Sequence, residues 1–237
     1  MNTMTEKMSP GAIELYKGEM PEGHEMRCPV VVLVDKSSSM AGNPIMELNK
    51  GIKIFQTQIQ NDEVASKRLE VAVITFGSDI EVIRDFSLLE GTAIETIEAS
   101  GATDMAGGLR EAIVRLEARK GWYKEVGLQY LRPYIILITD GLPTSLPEEI
   151  SEVKDRIRDA VNAKKFNIWA FGVEGADMDF LKTLIPEGFP PLKLKGHSFV
   201  EFFEWLSNSF SLISSSRPEE KVDLAPKPDK NPFQITV

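Results

Sequence analysis

A continuous apolar run near the start of the chain constrains its fold more than any other feature. The segment Val30–Val34 reads VVVLV and lacks the polar residues that would alternate along a strand with one solvated face. A β-branched run of this kind is typical of a strand buried on both faces, as in a parallel sheet covered by helices. We therefore expect a central sheet of largely parallel strands.

Strand and helix patterns alternate along the rest of the chain. Apolar residues recur every three or four positions in the predicted helices, which cover 43–60, 105–119, 147–164, 177–184 and 198–213. Short apolar runs predict strands at 29–34, 69–76, 80–86, 134–139, 166–173 and 192–195. The Gly77–Asp79 turn predicts a hairpin, so one strand at the edge should run antiparallel. The pattern predicts a three-layer α/β fold, with helices on both faces of a mostly parallel sheet.

Segments of different composition flank this predicted domain. Residues 1–27 are polar and interrupted by proline and glycine, so we expect an N-terminal arm there. Residues 214–237 begin with a serine-, proline- and charge-rich stretch, which predicts an extended C-terminal tail. The folded domain is therefore expected to span residues 28–213.

Net charge narrows the classes of partner, and cysteine content indicates the redox compartment. The net charge of −9 argues against nucleic acid and against anionic membrane surfaces, because both are bound by clustered Lys and Arg. Cys28 is the single cysteine, so no internal disulfide can form and a reducing compartment is expected. No apolar stretch approaches the roughly 20 residues that span a bilayer, and the first residues lack a signal-peptide core. We expect a cytoplasmic protein.

Residues with oxygen-bearing side chains follow the predicted strands. Asp35 and Asp140 come directly after the first and fourth strands. Ser37 and Ser39 follow Asp35 by two and four residues, and Thr103 lies in a glycine-flanked loop before a helix. Ligands of open α/β sheets bind beyond the carboxyl ends of the strands. If the first and fourth strands are neighbours, two carboxylates and three hydroxyls meet at one edge of the sheet.

This set of donors favours a hard divalent cation. Carboxylate and hydroxyl oxygens, with room for water, suit Mg²⁺ or Mn²⁺, and Ca²⁺ is a third alternative. Zinc and copper are disfavoured because no thiolates or imidazoles cluster in the sequence. Simpler roles are also open: Asp35 could cap a polar turn, Thr103 could cap a helix, and Asp104 could be a first-turn carboxylate or support a ligand.

Motifs of common enzymes are missing from the chain. It contains no phosphate-binding loop with a Walker lysine, no Gly-x-Ser-x-Gly elbow and no Asp-x-Asp after the first strand. His24 and His197 lie in segments without a clear strand or helix pattern, so neither is expected to complete a Ser–His–Asp arrangement. A hydrolase that uses one magnesium ion is an alternative without an evident general base. A structural subunit that needs no metal is another.

The five oxygen-bearing positions resemble a known binding site, the metal-ion-dependent adhesion site of von Willebrand factor A (VWA) domains. In chain order they are Asp35, Ser37, Ser39, Thr103 and Asp140, the last followed by glycine. The resemblance spans about residues 28–213 and implies a Rossmann-like VWA fold. It also implies that the protein is a binding module and not an enzyme. The metal of such a module binds an Asp or Glu side chain of a partner protein.

The resemblance also implies a role for each ligand. Ser37 and Ser39 would bind the metal directly, and Asp35 and Asp140 would supply charge directly or through water. Thr103 would alternate between direct and water-mediated contact as the partner binds.

At a finer level the chain resembles the bacterial TerY-like (YegL-like) branch, which is associated with tellurite resistance and stress. The resemblance rests on residues 35–40, 133–143 and 201–210. It implies a signalling partner such as a Ser/Thr kinase or a PP2C-type phosphatase. Lys36 and Ser38 depart from the family, which more often has Thr and Gly there. Lys36 could point to solvent, weaken metal binding or attract an acidic partner, and Ser38 would cost about 1 kcal/mol if its φ were positive.

Overall fold

Six strands form one sheet in the part of the chain that the computed structural model describes, namely residues 15–91, 93–186, 190–196 and 198–217. They are β1 Cys28–Asp35, β2 Leu69–Phe76, β3 Ile80–Leu88, β4 Tyr134–Thr139, β5 Asn167–Gly172 and β6 Leu192–Lys193. Their order across the sheet is β3-β2-β1-β4-β5-β6. Only β3 pairs antiparallel, through the predicted hairpin with β2, while the other neighbouring pairs are parallel.

Helices cover both faces of this sheet. Within the described residues they are α1 Asn43–Gln60, α2 Ala65–Arg68, α3 Met105–Val126, α4 Pro147–Asn162, α5 Met178–Leu184 and α6 Phe199–Ser215. One core lies between the sheet and α3, α4 and α5, and the other between the sheet and α1, α2 and α6. The predicted three-layer α/β fold, with one antiparallel edge strand, is confirmed.

Strand β1 shows why its sequence is continuously apolar. All of its residues are buried. Val31 and Leu33 belong to the core beneath α3, whereas Val30, Val32 and Val34 belong to the core beneath α1 and α6. Since successive side chains of a strand point to opposite faces, both faces of β1 need apolar residues.

Helix α3 is longer than its sequence predicted. The prediction ended it at residue 119 because Lys120 and Gly121 looked like a break, yet the helix continues to Val126. Trp122 and Tyr123 in the extra turns are buried, and their packing outweighs the low helix propensity of one glycine. The short helix α2 was not predicted at all.

Part of the predicted N-terminal arm packs against α3. The Tyr16 ring is buried, and its hydroxyl donates a hydrogen bond to Asp85 Oδ1 at 2.6 Å. The Glu19 carboxylate forms an ion pair of 2.6 Å with Arg119 of α3. The Arg119 guanidinium carbon also lies 4.8 Å from the ring centre of Tyr16 and 4.0 Å from that of Trp122. Residues 15–27 therefore extend the packed surface of the domain.

Other parts of the predicted segments fall outside this description. Residues 1–14 and 218–237 lie outside the described residues, so the proposed boundaries of the arm and the tail stay predictions. In the described ranges no helix combines the length and apolar character needed to cross a membrane.

Candidate functional site

Two aspartates meet at the carboxyl edge of the sheet. Strands β1 and β4 are parallel neighbours, with Val34 paired to Ile138 near their ends. Asp35 is the last residue of β1 and is completely buried, and Asp140 directly follows β4 and is 8% exposed. The expectation that these strands would be adjacent and bring the carboxylates together is confirmed.

The Asp35 carboxylate is held by two hydrogen bonds. Its Oδ1 accepts the backbone N–H of Ser37 at 2.9 Å, and its Oδ2 accepts the Thr139 hydroxyl at 2.6 Å. Thr139 was not among the predicted site residues. A hydroxyl on the last residue of a neighbouring buried strand is the sequence signal that could have indicated it. These bonds fix the orientation of the carboxylate.

A chain of oxygen atoms links the serines to the second aspartate. A short 3-10 turn, Ser38–Met40, follows β1 and brings alternate serines to one side. The hydroxyl oxygens of Ser37 and Ser39 are 3.0 Å apart. The Ser39 hydroxyl donates to Asp140 Oδ1 at 2.8 Å. Residues from the ends of two strands therefore form one connected polar cluster.

Thr103 completes this cluster from a third segment. Its backbone N–H donates to Thr144 Oγ1 at 3.1 Å, and its carbonyl accepts the Thr144 N–H at 2.9 Å. A Cβ placed on Gly141 would lie 3.9 Å from Thr103 Oγ1 and 4.0 Å from Ser39 Oγ. The two hydroxyls therefore border the same small space. Hydrogen bonds and close oxygen contacts connect four of the five predicted site residues, and the Thr103 hydroxyl lies beside them next to Gly141.

Helix capping is the role of Asp104 and not of Thr103. Asp104 is the N-cap of α3, and its Oδ1 accepts the Gly107 N–H and the Ser145 hydroxyl, both at 2.9 Å. In the described ranges no hydrogen bond uses the Thr103 hydroxyl, which is left for the cluster. The alternative that Thr103 caps the helix is wrong, because the carboxylate one residue later reaches the amides better.

The Lys36 side chain points neither towards the carboxylates of Asp35 and Asp140 nor into solvent. Its side chain is 8% exposed and runs to the β2–β3 hairpin, where the ammonium pairs with Asp79 at 3.2 Å and Glu81 at 3.0 Å. Burial lowers the pKa of Lys36, but hydrogen bonds to Glu81 and Asp79 outweigh it, so the net pKa is raised. The charge is therefore matched locally.

Ser38 fits its turn without strain. Among the described non-glycine residues, positive φ is found at Lys164 and not at Ser38. Ser38 therefore does not adopt the conformation that would favour glycine. Its N–H and its hydroxyl both donate to the Gly101 carbonyl at 3.0 Å. Gly101 itself has a φ of +82°, and a Cβ there would lie 2.5 Å from Ser78 Oγ. These contacts join the serine turn to the loop that carries Thr103.

The cluster contains two carboxyl groups without a cationic partner among the described residues. In the described part of the chain, no ion pair includes Asp35 or Asp140. Burial raises the pKa of both carboxyls, and the nearby charge of Asp35 raises the pKa of Asp140 further. Two buried carboxylates without a cation are unfavourable when ionised, so the cluster favours uptake of a cation or of a proton.

The oxygen spacing suits a small octahedral ion. Mg²⁺ binds oxygens in octahedral geometry at about 2.0–2.1 Å, which places adjacent ligand oxygens about 2.9 Å apart. The Ser37–Ser39 and Ser39–Asp140 oxygen separations, 3.0 and 2.8 Å, are of this size. Across the described ranges, no group of three or more His, Cys, Asp and Glu side chains is arranged to hold a metal. Any metal shell at this edge would therefore need hydroxyl or water oxygens beside the two carboxylates.

Comparison with known protein families gives a match that covers most of the folded domain. The family model of the von Willebrand factor type A domain matches residues 30–201. A search of curated protein sequences gave no match.

Several solved structures share the fold. The type V pilus tip protein Mfa5 from Porphyromonas gingivalis has a von Willebrand factor domain with a TM-score of 0.63 at 13% identity, covering 84% of this chain and 99% of that one. The pilus adhesin SpaC from Lactobacillus rhamnosus GG gives 0.62 at 15%, covering 81% and 31%. The ArnB paralog VWA2 from Sulfolobus acidocaldarius gives 0.51 at 17%, covering 78% and 45%. At these identities the likeness shows the fold alone.

Proposed function

Because the chain belongs to the von Willebrand factor type A domain family, we propose that it is a binding module that docks an acidic side chain of a partner protein through a divalent cation. The ligands are the clustered residues, namely Asp35, Ser37, Ser39, Thr103 and Asp140. Mg²⁺ or Mn²⁺ fits this oxygen set best, and Ca²⁺ is an alternative. The proposed role is non-catalytic.

One observation carries the proposal. Two carboxylates, Asp35 and Asp140, lie at one sheet edge without a cationic partner among the described residues and are linked to hydroxyls through Ser39. A bound divalent cation would supply an electrophilic centre for one more anion. Since three of its protein ligands are neutral hydroxyls, they leave the ion free to attract a partner carboxylate. The names of Mfa5 and SpaC, a pilus tip protein and a pilus adhesin, agree with a binding role.

The cellular role is proposed from the sequence resemblance. Similarity to the TerY-like branch supports a cytoplasmic stress or tellurite-resistance system, with a Ser/Thr kinase or a PP2C-type phosphatase as the partner. The acidic net charge of −9 supports a protein partner over nucleic acid or membrane.

Calorimetric titration of Mg²⁺ and Mn²⁺ into metal-free protein tests the site. We expect Asp140→Asn to lose binding, because the site loses one of its two charges. Asp104→Asn is the matched control: it removes a neighbouring charge, but its amide oxygen can still accept from Gly107 and Ser145. Circular dichroism would show that both variants keep the fold.

The outcomes separate the proposal from its alternatives. Binding in wild type and Asp104→Asn, and not in Asp140→Asn, would support the site. Equal binding in all three proteins, or none in wild type, would overturn it and favour a structural subunit. Release of phosphate from a model ester, dependent on Asp140, would instead support the hydrolase.

A further inference from the structure

A loop with two exposed leucines borders the candidate metal site. Residues 140–146 connect β4 to α4, and Leu142 and Leu146 on this loop are 55% and 62% exposed. Large exposed apolar side chains are few among the described residues: Leu15, Met20, Met46, Leu142, Leu146 and Leu212. Two of them lie within five positions on one loop. This concentration is unlike the scattered single leucines that ordinary surfaces carry.

Hydrogen bonds hold the loop in place between the leucines. Thr144 exchanges two hydrogen bonds with the backbone of Thr103. The Ser145 hydroxyl donates to Asp104 at 2.9 Å and accepts the Ala106 N–H at 3.1 Å. The Leu146 N–H donates to Glu149 Oε2 at 3.1 Å. The loop is therefore fixed before any partner binds, which reduces the entropic cost of binding.

Leu142 adjoins the oxygens of the candidate metal site, and Leu146 lies four positions further along the same loop. Gly141 borders both Thr103 Oγ1 and Ser39 Oγ, since a Cβ on this glycine would lie 3.9 and 4.0 Å from them. Leu142 is the next residue, with a Cα about 3.8 Å further along the chain. A partner carboxylate at the metal would thus place neighbouring side chains of the same segment beside this loop.

The first turns of α4 carry exposed acidic residues. Glu148 and Glu152 are exposed there, two and six positions after Leu146. A run of acidic residues in a partner would be repelled there, whereas an apolar side chain beside one acidic residue would be accepted.

We propose that Leu142 and Leu146 form an apolar contact surface that selects partner segments with one acidic residue next to large apolar residues. This proposal rests on the proposed function, because the metal binds the acidic residue and the leucines bury its neighbours. Burial of apolar side chains against both leucines should strengthen binding about tenfold.

Fluorescence anisotropy in saturating Mg²⁺ tests this selectivity with two labelled synthetic peptides. Both carry one central glutamate, which is flanked by leucines in the first peptide and by serines in the second. Wild type should bind the leucine peptide about tenfold more tightly. The double variant Leu142→Ser/Leu146→Ser should bind both peptides equally. Leu212→Ser, which changes a 52% exposed leucine on α6, is the matched control and should behave as wild type.

Magnesium titration of the same proteins separates the two possible failures. If wild type binds Mg²⁺ but does not discriminate between the peptides, or binds neither, the selective role of the leucines is overturned and the metal site stands. Discrimination that persists in the double variant overturns it equally. If wild type binds no Mg²⁺, the proposed function itself fails.

Discussion

Thr139 controls the orientation of a carboxylate without belonging to the predicted ligand set. Its hydroxyl donates to Asp35 Oδ2 at 2.6 Å, and both residues are completely buried. Groups that orient metal ligands in this way commonly change metal affinity when they are removed. Thr139 is therefore expected to influence metal binding by positioning the Asp35 carboxylate.

Replacing Thr139 by valine should weaken metal binding. Valine keeps the shape of the side chain but removes the hydrogen bond, so the Asp35 carboxylate keeps only the Ser37 N–H as a donor and the pKa of Asp35 rises further. We expect Mg²⁺ affinity to fall about tenfold by calorimetry. Thr139→Ser keeps the hydroxyl and should restore most of the affinity. An unchanged affinity in Thr139→Val would show that Asp35 needs no such support.

Lys36 should affect stability more than metal binding. Lys36→Met keeps the buried aliphatic stem but removes the ion pairs with Asp79 and Glu81. We expect a loss of about 1 kcal/mol of unfolding free energy in urea, because both carboxylate partners are largely exposed. Mg²⁺ affinity should stay within about twofold of wild type. If the affinity instead rose more than tenfold, the ammonium would be shown to repel the ion.

The contrast between Lys36 and the aspartates shows what sequence can predict at this scale. Asp35 and Asp140 could be located because they end strands that neighbour each other in a parallel sheet. The partners of Lys36 lie 43 and 45 residues away on a hairpin. No local pattern encodes such a side-chain direction, so the sequence left three alternatives open.

At the scale of elements, residues 15–27 pack against the domain. Tyr16 and Glu19 both contact Arg119 on α3, which also pairs with the buried Glu70 at 2.8 Å. The Trp122 indole donates to the Glu19 carbonyl at 3.2 Å. The sequence predicted a polar arm, because its one buried aromatic ring stands among polar residues without a periodic pattern.

Substitution of Tyr16 measures how much this packing stabilises the fold. Tyr16→Ala should lower the free energy of unfolding by about 3–5 kcal/mol, because a buried aromatic side chain is removed. Tyr16→Phe should lower it by about 1 kcal/mol through loss of the hydrogen bond to Asp85. Urea unfolding gives both values. Leu15→Ala, at an exposed neighbour, should cost under about 0.5 kcal/mol, and an equally small effect of Tyr16→Ala would contradict this role.

At the scale of the whole molecule, the layered sheet was predictable because it rests on periodicity. Apolar runs and helical spacing recur over most of the chain, and each indicates the same architecture. The extension of α3 through Gly121 was not predictable, since tertiary packing of Trp122 and Tyr123 decides it. The position of the site was predictable for the same reason, because the strand order places β1 beside β4.

Metal binding should stabilise the whole domain in a pH-dependent way. At a hundredfold excess over Kd, Mg²⁺ should add about 2.7 kcal/mol, which raises Tm by about 5–10 °C. Protons compete for Asp35 and Asp140, whose pKa values are raised in the metal-free fold. The folded, metal-free protein binds these protons more tightly than the unfolded chain, so lowering the pH through the raised pKa values stabilises it.

The stabilisation by Mg²⁺ should therefore be largest above these pKa values and shrink as the pH falls through them. Differential scanning fluorimetry with and without Mg²⁺ across a pH series checks this. Asp140→Asn serves as the control and should show no Mg²⁺ increment at any pH. An increment in wild type that did not change with pH would mean that the ion binds elsewhere.

The wide separation of the site residues along the chain also has a kinetic consequence. The bonds that join Ser39 to Asp140 and Thr139 to Asp35 link residues 101 and 104 positions apart. Such contacts form only after β1 and β4 have paired, since closing long loops is entropically costly. We therefore expect that an ion bound there would not nucleate folding. It should slow unfolding while the folding rate stays nearly unchanged.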